Sequence, residues 1–339
     1  GNLYEARAAL TEASKVNARF VEFDDLSQNW RRIEFNLVQV DLDRGKIEQA
    51  EERLRDIEAE VSALAEKFFS DDMRKRWTKP YGSVRDYVLD WYTEPTHDGR
   101  PSRVDSEVPT EIITLLGMIQ GYRGIFQHLR GALAASKVSL RCSVAILQRL
   151  NEQRAYAFFQ RHLASLLIAS GEVEQACAAL QLCIAAAGPL RQTDIDHSGR
   201  VALVQYRLRR SPLTTADLEG KPIPQLHETL RYATSSDMYR LQVETMQALA
   251  LVHLGNGDVD SALQFTTDAM AISSRCGFGL RKVNLRTLLA RVLALRGDTR
   301  SARALVLSSS VIASKIHYER AVETAENLLL ELNSGNAPN

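Results

Sequence analysis

A glycine followed five residues later by an alanine recurs along this chain of 339 residues and constrains its fold more than any other feature. The clearest copy is Gly171-Glu-Val-Glu-Gln-Ala176. Glycine ends a helix in the left-handed conformation without a Cβ clash, and a small residue in the next helix lets two backbones pack closely. Each copy therefore predicts the turn and second helix of a helical hairpin. The other copies begin at Gly1, Gly45, Gly257 and Gly297.

The spacing of the copies extends this local prediction to the whole chain. Successive glycines are 44, 126, 86 and 40 residues apart, which is close to whole multiples of about 42. Two helices in a unit of this length are typical of a solenoid, in which each hairpin buries its apolar face against its neighbours. We therefore predict an all-α fold.

The pattern resembles the tetratricopeptide repeat (TPR) family in the small residue Ala164, the turn glycine Gly171 and the second-helix alanine Ala176. The helices are longer than those of the family's unit of about 34 residues. In this they are similar to the TPR-like sensor domains of bacterial signal-transduction ATPases. The resemblance implies a right-handed α-α superhelical solenoid of TPR-like hairpins. It covers residues 1–20, 28–60, 151–188 and 236–315.

The resemblance also implies a binding surface. In this family the first helix of each hairpin lines a concave groove, which binds a protein or peptide partner. Arginine forks in such a groove would bind carboxylates, and aromatic rings would hold apolar anchors. The inward positions are Arg32, Phe35, Gln39, Phe158, Arg161, Ser165, Glu244, Gln247, Leu251, Asn284, Thr287 and Arg291.

The hairpin pattern also divides the chain. We predict TPR-like hairpins over 1–64 and 151–315, and a diverged helical segment over 65–150 with an exposed loop near 94–106. A capping helix over 316–333 and a disordered tail over 334–339 complete the chain. Because residue 1 already lies at a turn, we expect either a fragment of a larger signalling or regulatory protein or an irregular cap.

Three glycines stand out in the diverged segment, where the turn motif is missing. Gly117, Gly121 and Gly124 lie in an apolar run from Ile112 to Ile125. Glycine within a helix usually has a packing reason, so we interpret the run as a site of close helix packing rather than as a ligand pocket.

The overall charge balance argues against a polyanionic partner. Lysine plus arginine and aspartate plus glutamate both total 42, so the chain has no net field that favours nucleic acid or an anionic membrane. No apolar run is long enough for a membrane span, and we predict a cytoplasmic location. A dense basic stretch is interpreted as a solvated helix face, with a patch for an acidic peptide or phosphate as the alternative. It comprises Arg200, Tyr206, Arg207, Arg209 and Arg210.

No catalytic motif is present. The chain lacks a phosphate-binding loop, a nucleophile elbow and the zinc-protease motif, so we predict no enzyme activity, no cofactor and no metal. The acids of Thr193–His197 are interpreted as caps of a helix that starts near Ser198, rather than as metal ligands. His253 is expected in the core and His162 at an exposed position.

The cysteines agree with a reducing compartment. Cys142, Cys177, Cys183 and Cys276 show no paired spacing and are interpreted as small core residues. A reactive thiol is the alternative for Cys276, because Gly277 follows it in a predicted turn.

These observations predict a non-catalytic scaffold or sensor domain that binds a partner segment in its groove. The alternative is a small-ligand receptor that relays binding to an attached effector domain. That alternative would require a ligand-sized pocket in the irregular middle of the chain.

Overall fold

The computed structural model describes residues 2–18, 28–68, 82–83, 86–88, 90, 109–188, 193–210 and 222–334. Every regular element among these residues is a helix, as predicted, and none of these helices is long and apolar enough to cross a membrane. The helices are α1 (Leu3–Ala18), α2 (Gln28–Asp43), α3 (Ile47–Phe68), α4 (Thr110–Leu129), α5 (Leu133–Arg149), α6 (Gln153–Ala169), α7 (Val173–Ala187), α8 (Thr193–Arg210), α9 (Pro222–Ser235), α10 (Tyr239–Gly255), α11 (Val259–Cys276), α12 (Gly279–Leu295), α13 (Thr299–Lys315) and α14 (Glu319–Ser334).

Several predicted features lie outside the described residues. They are the turn at Gly1, the exposed loop near 94–106 and residues 335–339 of the predicted tail. At the edges of the predicted segments, α3 continues to Phe68, and α14 includes Ser334.

A single residue with positive φ closes each of nine interhelical turns in the described chain. At the Gly171 turn, the N–H of Glu172 donates to the carbonyl oxygen of Leu167 at 2.9 Å, which satisfies the end of α6. From 237 to 317 these residues recur every 20 positions, so one predicted period contains two equivalent turns. The residues are Gly45, Gly131, Asn151, Gly171, Asp237, Gly257, Gly277, Gly297 and His317.

The alanines after the predicted turn glycines lie where helices approach closely, as expected. Each belongs to the first two turns of a second helix, and none has solvent-exposed surface. Any larger side chain at these positions would displace a neighbouring helix. They are Ala50, Ala176, Ala262 and Ala302.

The diverged segment contains a regular hairpin of α4 and α5, although the Gly-to-Ala motif is missing there. The turn residue is Gly131, and Ser136 takes the place of the alanine. The buried Ser136 hydroxyl donates to the carbonyl oxygen of Gly124 at 2.7 Å. A Cβ on Gly121 would lie 2.3 Å from Cε1 of Phe159 on α6. The interpretation of the glycine run as a site of close helix packing is therefore confirmed.

Two helices begin earlier than predicted. The helix expected from Ser198 begins at Thr193, so Asp194 and Asp196 lie within its first turn, where carboxylates favour the helix dipole. The three prolines and one glycine of residues 211–224 also predict a loop. Helix α9 begins inside that range, at Pro222, because proline needs no N–H partner in a first turn.

The first and last parts of the described solenoid pack against each other. Leu3 of α1 and Val40 of α2 share one buried cluster with Val243, Phe278 and Leu285 from the C-terminal hairpins. The apolar core therefore does not only run along the chain. It also joins the first two described helices to α10, α11 and α12.

The backbones approach closely between the α2–α3 turn and the start of α12, and we call this contact the seam. A Cβ on Gly279 would lie 2.0 Å from the carbonyl oxygen of Arg44 and 3.1 Å from the backbone nitrogen of Gly45. Beside the seam, His317 Nε2 lies 2.9 Å from a carboxylate oxygen of Glu48. The seam holds α2 beside α12, so their inner faces border the same interior.

Candidate functional site

Three helices line a cavity of about 260 Å³ that is partly open to solvent. Helix α6 contributes an aromatic and a basic side chain, α8 its first turns, and α10 its N-terminal half. Apolar and charged groups therefore face one space, as they do in ligand sites. The lining residues are Phe158, Arg161, Asp194, Ile195, Ser198, Met238, Arg240, Leu241 and Glu244.

A buried glutamate, Glu244, organises the charged side of the cavity. Its Oε1 accepts from Arg161 at 3.2 Å and from Arg240 at 3.3 Å, and Arg281 of α12 also donates to this oxygen. Its Oε2 accepts from the hydroxyl of Ser198 at 2.6 Å. One side chain thus joins α6, α8, α10 and α12.

The network reaches the N-terminal end of the described solenoid through Arg240. Its Nη1 lies 3.3 Å from a carboxylate oxygen of Asp43, a residue 197 positions earlier in the chain.

The Glu244 side chain is only 7% exposed. Burial acts to raise its pKa, but the guanidinium groups of Arg281, Arg161 and Arg240 hold the pKa of Glu244 below its ordinary value. The carboxylate is therefore charged and fully engaged.

Aromatic rings pack beside the charged network. Phe35 of α2 stacks on Tyr122 of α4 with ring centroids 5.7 Å apart, and Tyr122 meets Phe158 at 6.1 Å. Burial, and then the nearby Asp43 carboxylate, raise the pKa of the Tyr122 hydroxyl above its ordinary value. This hydroxyl therefore stays protonated, as a neutral group beside the charged network.

His162 does not occupy the exposed position predicted for it. Its ring lies 4.8 Å from that of Phe158, and its Nε2 is buried without a hydrogen-bond partner. Burial, and then the charge of Arg161, lower the pKa of His162 well below its ordinary value. The ring is therefore neutral near physiological pH.

Three of the predicted groove residues, Phe158, Arg161 and Glu244, line this cavity. Phe35 is 2% exposed, and Thr287 is 8% exposed with its hydroxyl 3.2 Å from that of Ser309, so both face packed neighbours. Arg32 and Ser165 are exposed, Glu244 is buried, and the others are half-buried. The predicted residues that line neither this cavity nor the one described below are Arg32, Gln39, Ser165, Gln247, Leu251, Asn284 and Arg291, together with Phe35 and Thr287.

Sequence reasoning missed four members of the network: Asp43, Ser198, Arg240 and Arg281. A signal was present for Arg240, which precedes Glu244 by the four-residue spacing of helical ion pairs. Extending the inward face of α12 by one turn from Asn284 would likewise have reached Arg281.

A second cavity, of about 410 Å³, lies among α1, α2 and α3. Asp41, whose side chain is 1% exposed, accepts from Arg7 at 2.7 Å, and Glu34 pairs with Arg53 at 2.5 Å. These pairs tie the first described helices together. The acidic side chains of this cavity are thus in part neutralised by arginines from α1 and α3.

The remaining candidate sites do not form reactive centres. Within the described residues, no group of three or more His, Cys, Asp or Glu side chains could hold a metal ion. The Nδ1 of His197 lies 3.1 Å from the Thr229 hydroxyl. Cys276 is 2% exposed, which removes the accessibility that a reactive thiol needs. Burial raises the pKa of the Cys142 thiol to about 12.

His253 and the beginning of the basic stretch both pair with acidic side chains. His253 is half-buried, and its Nδ1 lies 3.0 Å from a carboxylate oxygen of Asp258. Arg200 pairs with Asp196 at 2.9 Å. The rest of the basic stretch, residues 206–210, belongs to α8, but its side chains lie outside the described residues.

Comparison with known proteins first identifies the class of protein to which this fold is similar. Residues 283–307, from α12 to α13, match the family model described as tetratricopeptide repeat. No curated protein matches the chain in sequence. The predicted resemblance to tetratricopeptide repeat proteins is confirmed by this match and by the fold.

Particular structures of this type are similar to the chain. The crystal structure of NprR in complex with its cognate peptide NprX has a TM-score of 0.53 and 12% identity, covering 98% of this chain and 84% of that one. A STAND signal-transduction ATPase with a tetratricopeptide repeat sensor, from Pyrococcus horikoshii, has a TM-score of 0.45 and 13% identity over 97% of this chain and 50% of its own. Yeast Tom70 has a TM-score of 0.28 and 12% identity over 96% and 86%.

Proposed function

We propose that this chain is a non-catalytic binding module and that its central cavity anchors a segment of a partner protein. The cavity carries the proposal, because apolar Phe158, Met238 and Leu241 face the same space as Arg161 and Arg240. Interface anchors of this kind combine a buried apolar contact with a few directed polar ones. Scaffolds built from tetratricopeptide repeats generally bind rather than catalyse, which agrees with the absence of a catalytic motif in the sequence.

The fold also supports a peptide ligand. NprR, whose fold is similar, was crystallised with its cognate peptide. A cavity of about 260 Å³ has room for a few side chains, so the rest of a bound segment would follow the groove outside it. The proposed groove comprises Arg32, Phe35, Gln39, Phe158, Arg161, Ser165, Glu244, Gln247, Asn284, Thr287 and Arg291.

The alternative function is a small-ligand receptor that relays binding to an attached effector domain. The cavity size favours it, because a volume of this order approaches that of small-molecule sites. The cavity lies among α6, α8 and α10, however, and not in the irregular middle of the chain where such a pocket was expected. The two functions differ in what the cavity holds.

The test requires a variant that alters the cavity without removing a charge from the buried network. Arg161→Ala is unsuitable, because Arg161 pairs with the buried Glu244, so its loss would also disturb folding. Met238→Ala removes an apolar wall instead. Met270→Ala is the matched control, since Met270 is also a partly buried methionine but packs in another cluster.

Immobilised wild type and both variants would be exposed to a random peptide library and, separately, to a metabolite extract, and bound material identified by mass spectrometry. Peptides that bind wild type and Met270→Ala, but bind Met238→Ala at least tenfold more weakly by fluorescence anisotropy, support the partner-segment function. Retention of a metabolite with the same dependence supports the receptor instead. Ligands that bind all three proteins equally would show that the cavity is not the site.

A further inference from the structure

The charged network holds more donors than its acceptors can use. Arg161, Arg240 and Arg281 all donate to one oxygen, Oε1 of Glu244. A carboxylate oxygen has about two lone-pair sites, so three guanidinium groups exceed its capacity. The Nε of Arg281 is buried without a hydrogen-bond partner. Oε1 of Glu244 therefore receives too many donors, while Nε of Arg281 beside it has no acceptor.

The numbers of positive and negative side chains in the network also indicate a missing anion. Three guanidinium groups contact two carboxylates, those of Glu244 and Asp43, which leaves one positive charge uncompensated within the network. Asp194 also lines the cavity, but it is exposed to solvent, where water screens its charge. The buried part of the site therefore favours an additional anionic group.

The position of Glu244 explains how such a group would enter. Its carboxylate comes from α10, but it binds arginines from α6 and α12 as well as from its own helix. Arg161 and Arg240 also line the cavity, so a ligand in the cavity would reach the same guanidinium groups as Glu244 does. Glu244 thus occupies an anion site with a carboxylate of the chain itself.

We propose that the cavity binds a carboxylate attached to an apolar group, and that Glu244 competes with this ligand for the arginines. The proposal rests on the proposed function and names the chemistry of the bound segment. The ligand carboxylate would accept from Arg161 and Arg240 in the planar geometry that guanidinium groups favour. Its apolar group would lie against Phe158, Met238 and Leu241.

The test compares two probes of almost equal size, N-acetyl-L-leucine and N-acetyl-L-leucinamide. Both offer the same apolar side chain, and only the first carries a carboxylate. Dissociation constants would be measured by calorimetry or NMR titration for wild type, Glu244→Gln and Glu34→Gln. Glu34 is the matched control, because it is also buried and bound to an arginine, but lies at the α1–α3 cavity.

We expect wild type to bind the acid about tenfold more tightly than the amide, as a charge-assisted hydrogen bond implies. Glu244→Gln frees the arginines and should tighten the acid about tenfold further while leaving the amide unchanged. Glu34→Gln should change neither constant. If circular dichroism shows that Glu244→Gln is unfolded, Arg161→Lys takes its place; it keeps the charge of the network but loses the planar guanidinium, and should weaken the acid alone.

Equal binding of acid and amide to wild type would overturn the carboxylate proposal. The proposed function would survive that result if Met238→Ala weakened both probes, since the cavity would then be a purely apolar anchor. Displacement of the acid by an equal concentration of inorganic phosphate would also overturn it, because the site would then bind any anion. Binding of neither probe would do the same, and the peptide capture would then decide the proposed function by itself.

Discussion

The seam offers a sharp test of how the solenoid is closed, through the substitution Gly279→Ala. Gly279 is the first residue of α12, and a Cβ there would lie 2.0 Å from the carbonyl oxygen of Arg44. Real Cβ contacts essentially never fall below 3.0 Å. The alanine variant must therefore separate the α2–α3 turn from α12 by at least 1 Å.

The size of the effect follows from what can move. The atoms opposite Gly279 are backbone atoms of Arg44 and Gly45, so no side-chain rotation relieves the contact. Overpacking of a well-packed contact destabilises a protein by about 1–3 kcal/mol. Displacement of the seam also weakens the buried cluster that contains Leu3 and Phe278. We expect a loss of about 2–3 kcal/mol in the free energy of unfolding.

Urea denaturation followed by circular dichroism measures this loss, and small-angle X-ray scattering reports whether the seam has opened. Gly255→Ala is the matched control, because Gly255 ends α10 and a Cβ there would meet nothing within 4 Å. Alanine exceeds glycine in helix propensity by up to about 1 kcal/mol, so the control should be neutral or more stable.

An unchanged urea midpoint and radius of gyration in Gly279→Ala would refute the reasoning. That result would mean that Arg44 and Gly279 are not in backbone contact, and that the two ends of the described solenoid are held apart. If Gly255→Ala lost as much stability as Gly279→Ala, that result would also contradict the reasoning, since only Gly279 faces another backbone.

Three further perturbations test the packing and the site. Ala176→Leu should lower the free energy of unfolding by about 1–3 kcal/mol through overpacking, and an unchanged urea midpoint would disprove the repeat register. Gly121→Ala should cost a similar amount, about 1–3 kcal/mol, because the Phe159 ring beside it is fully buried; hydrogen exchange of α4 and α6 would locate the effect. The pKa of His162 is lowered in the folded state, so stability should fall as pH drops below about 6.5, by at most about 1.4 kcal/mol per pH unit. Urea midpoints from pH 7.5 to 5 should fall less steeply for His162→Gln, and parallel slopes would contradict the assignment.

The parts of the fold that sequence could predict are those set by neighbouring residues. Gly171 and Ala176 lie close together in the sequence and in one hairpin, so their spacing can be recognised as a motif. Asn151 and Asp237 close equivalent turns, because a short polar side chain tolerates the left-handed conformation. Since they are not glycines, these turns do not match the motif. The motif therefore does not mark every turn of the two-helix period.

The candidate site depends on contacts that no local pattern records. Arg161 and Glu244 are 83 positions apart, and Arg240 and Asp43 are 197 apart. The predicted inward register includes Arg161 and Glu244 on two helices, but it could not show that they contact each other. That fact depends on the curvature of the whole helical array, which small packing angles determine cumulatively.

The turns that recur every 20 residues also determine how a chain of this kind can change in length. Since every helix in the regular regions ends in the same type of turn, one helix with its turn is the smallest unit that can be inserted or deleted without disturbing the local geometry. Such a step reverses the parity of all later helices, so those that faced the interior would face outward. Only an even number of helices, about 40 residues for each pair, leaves Arg240, Glu244 and Arg281 on the inner side. Length variation in this architecture should therefore be quantised in pairs of helices.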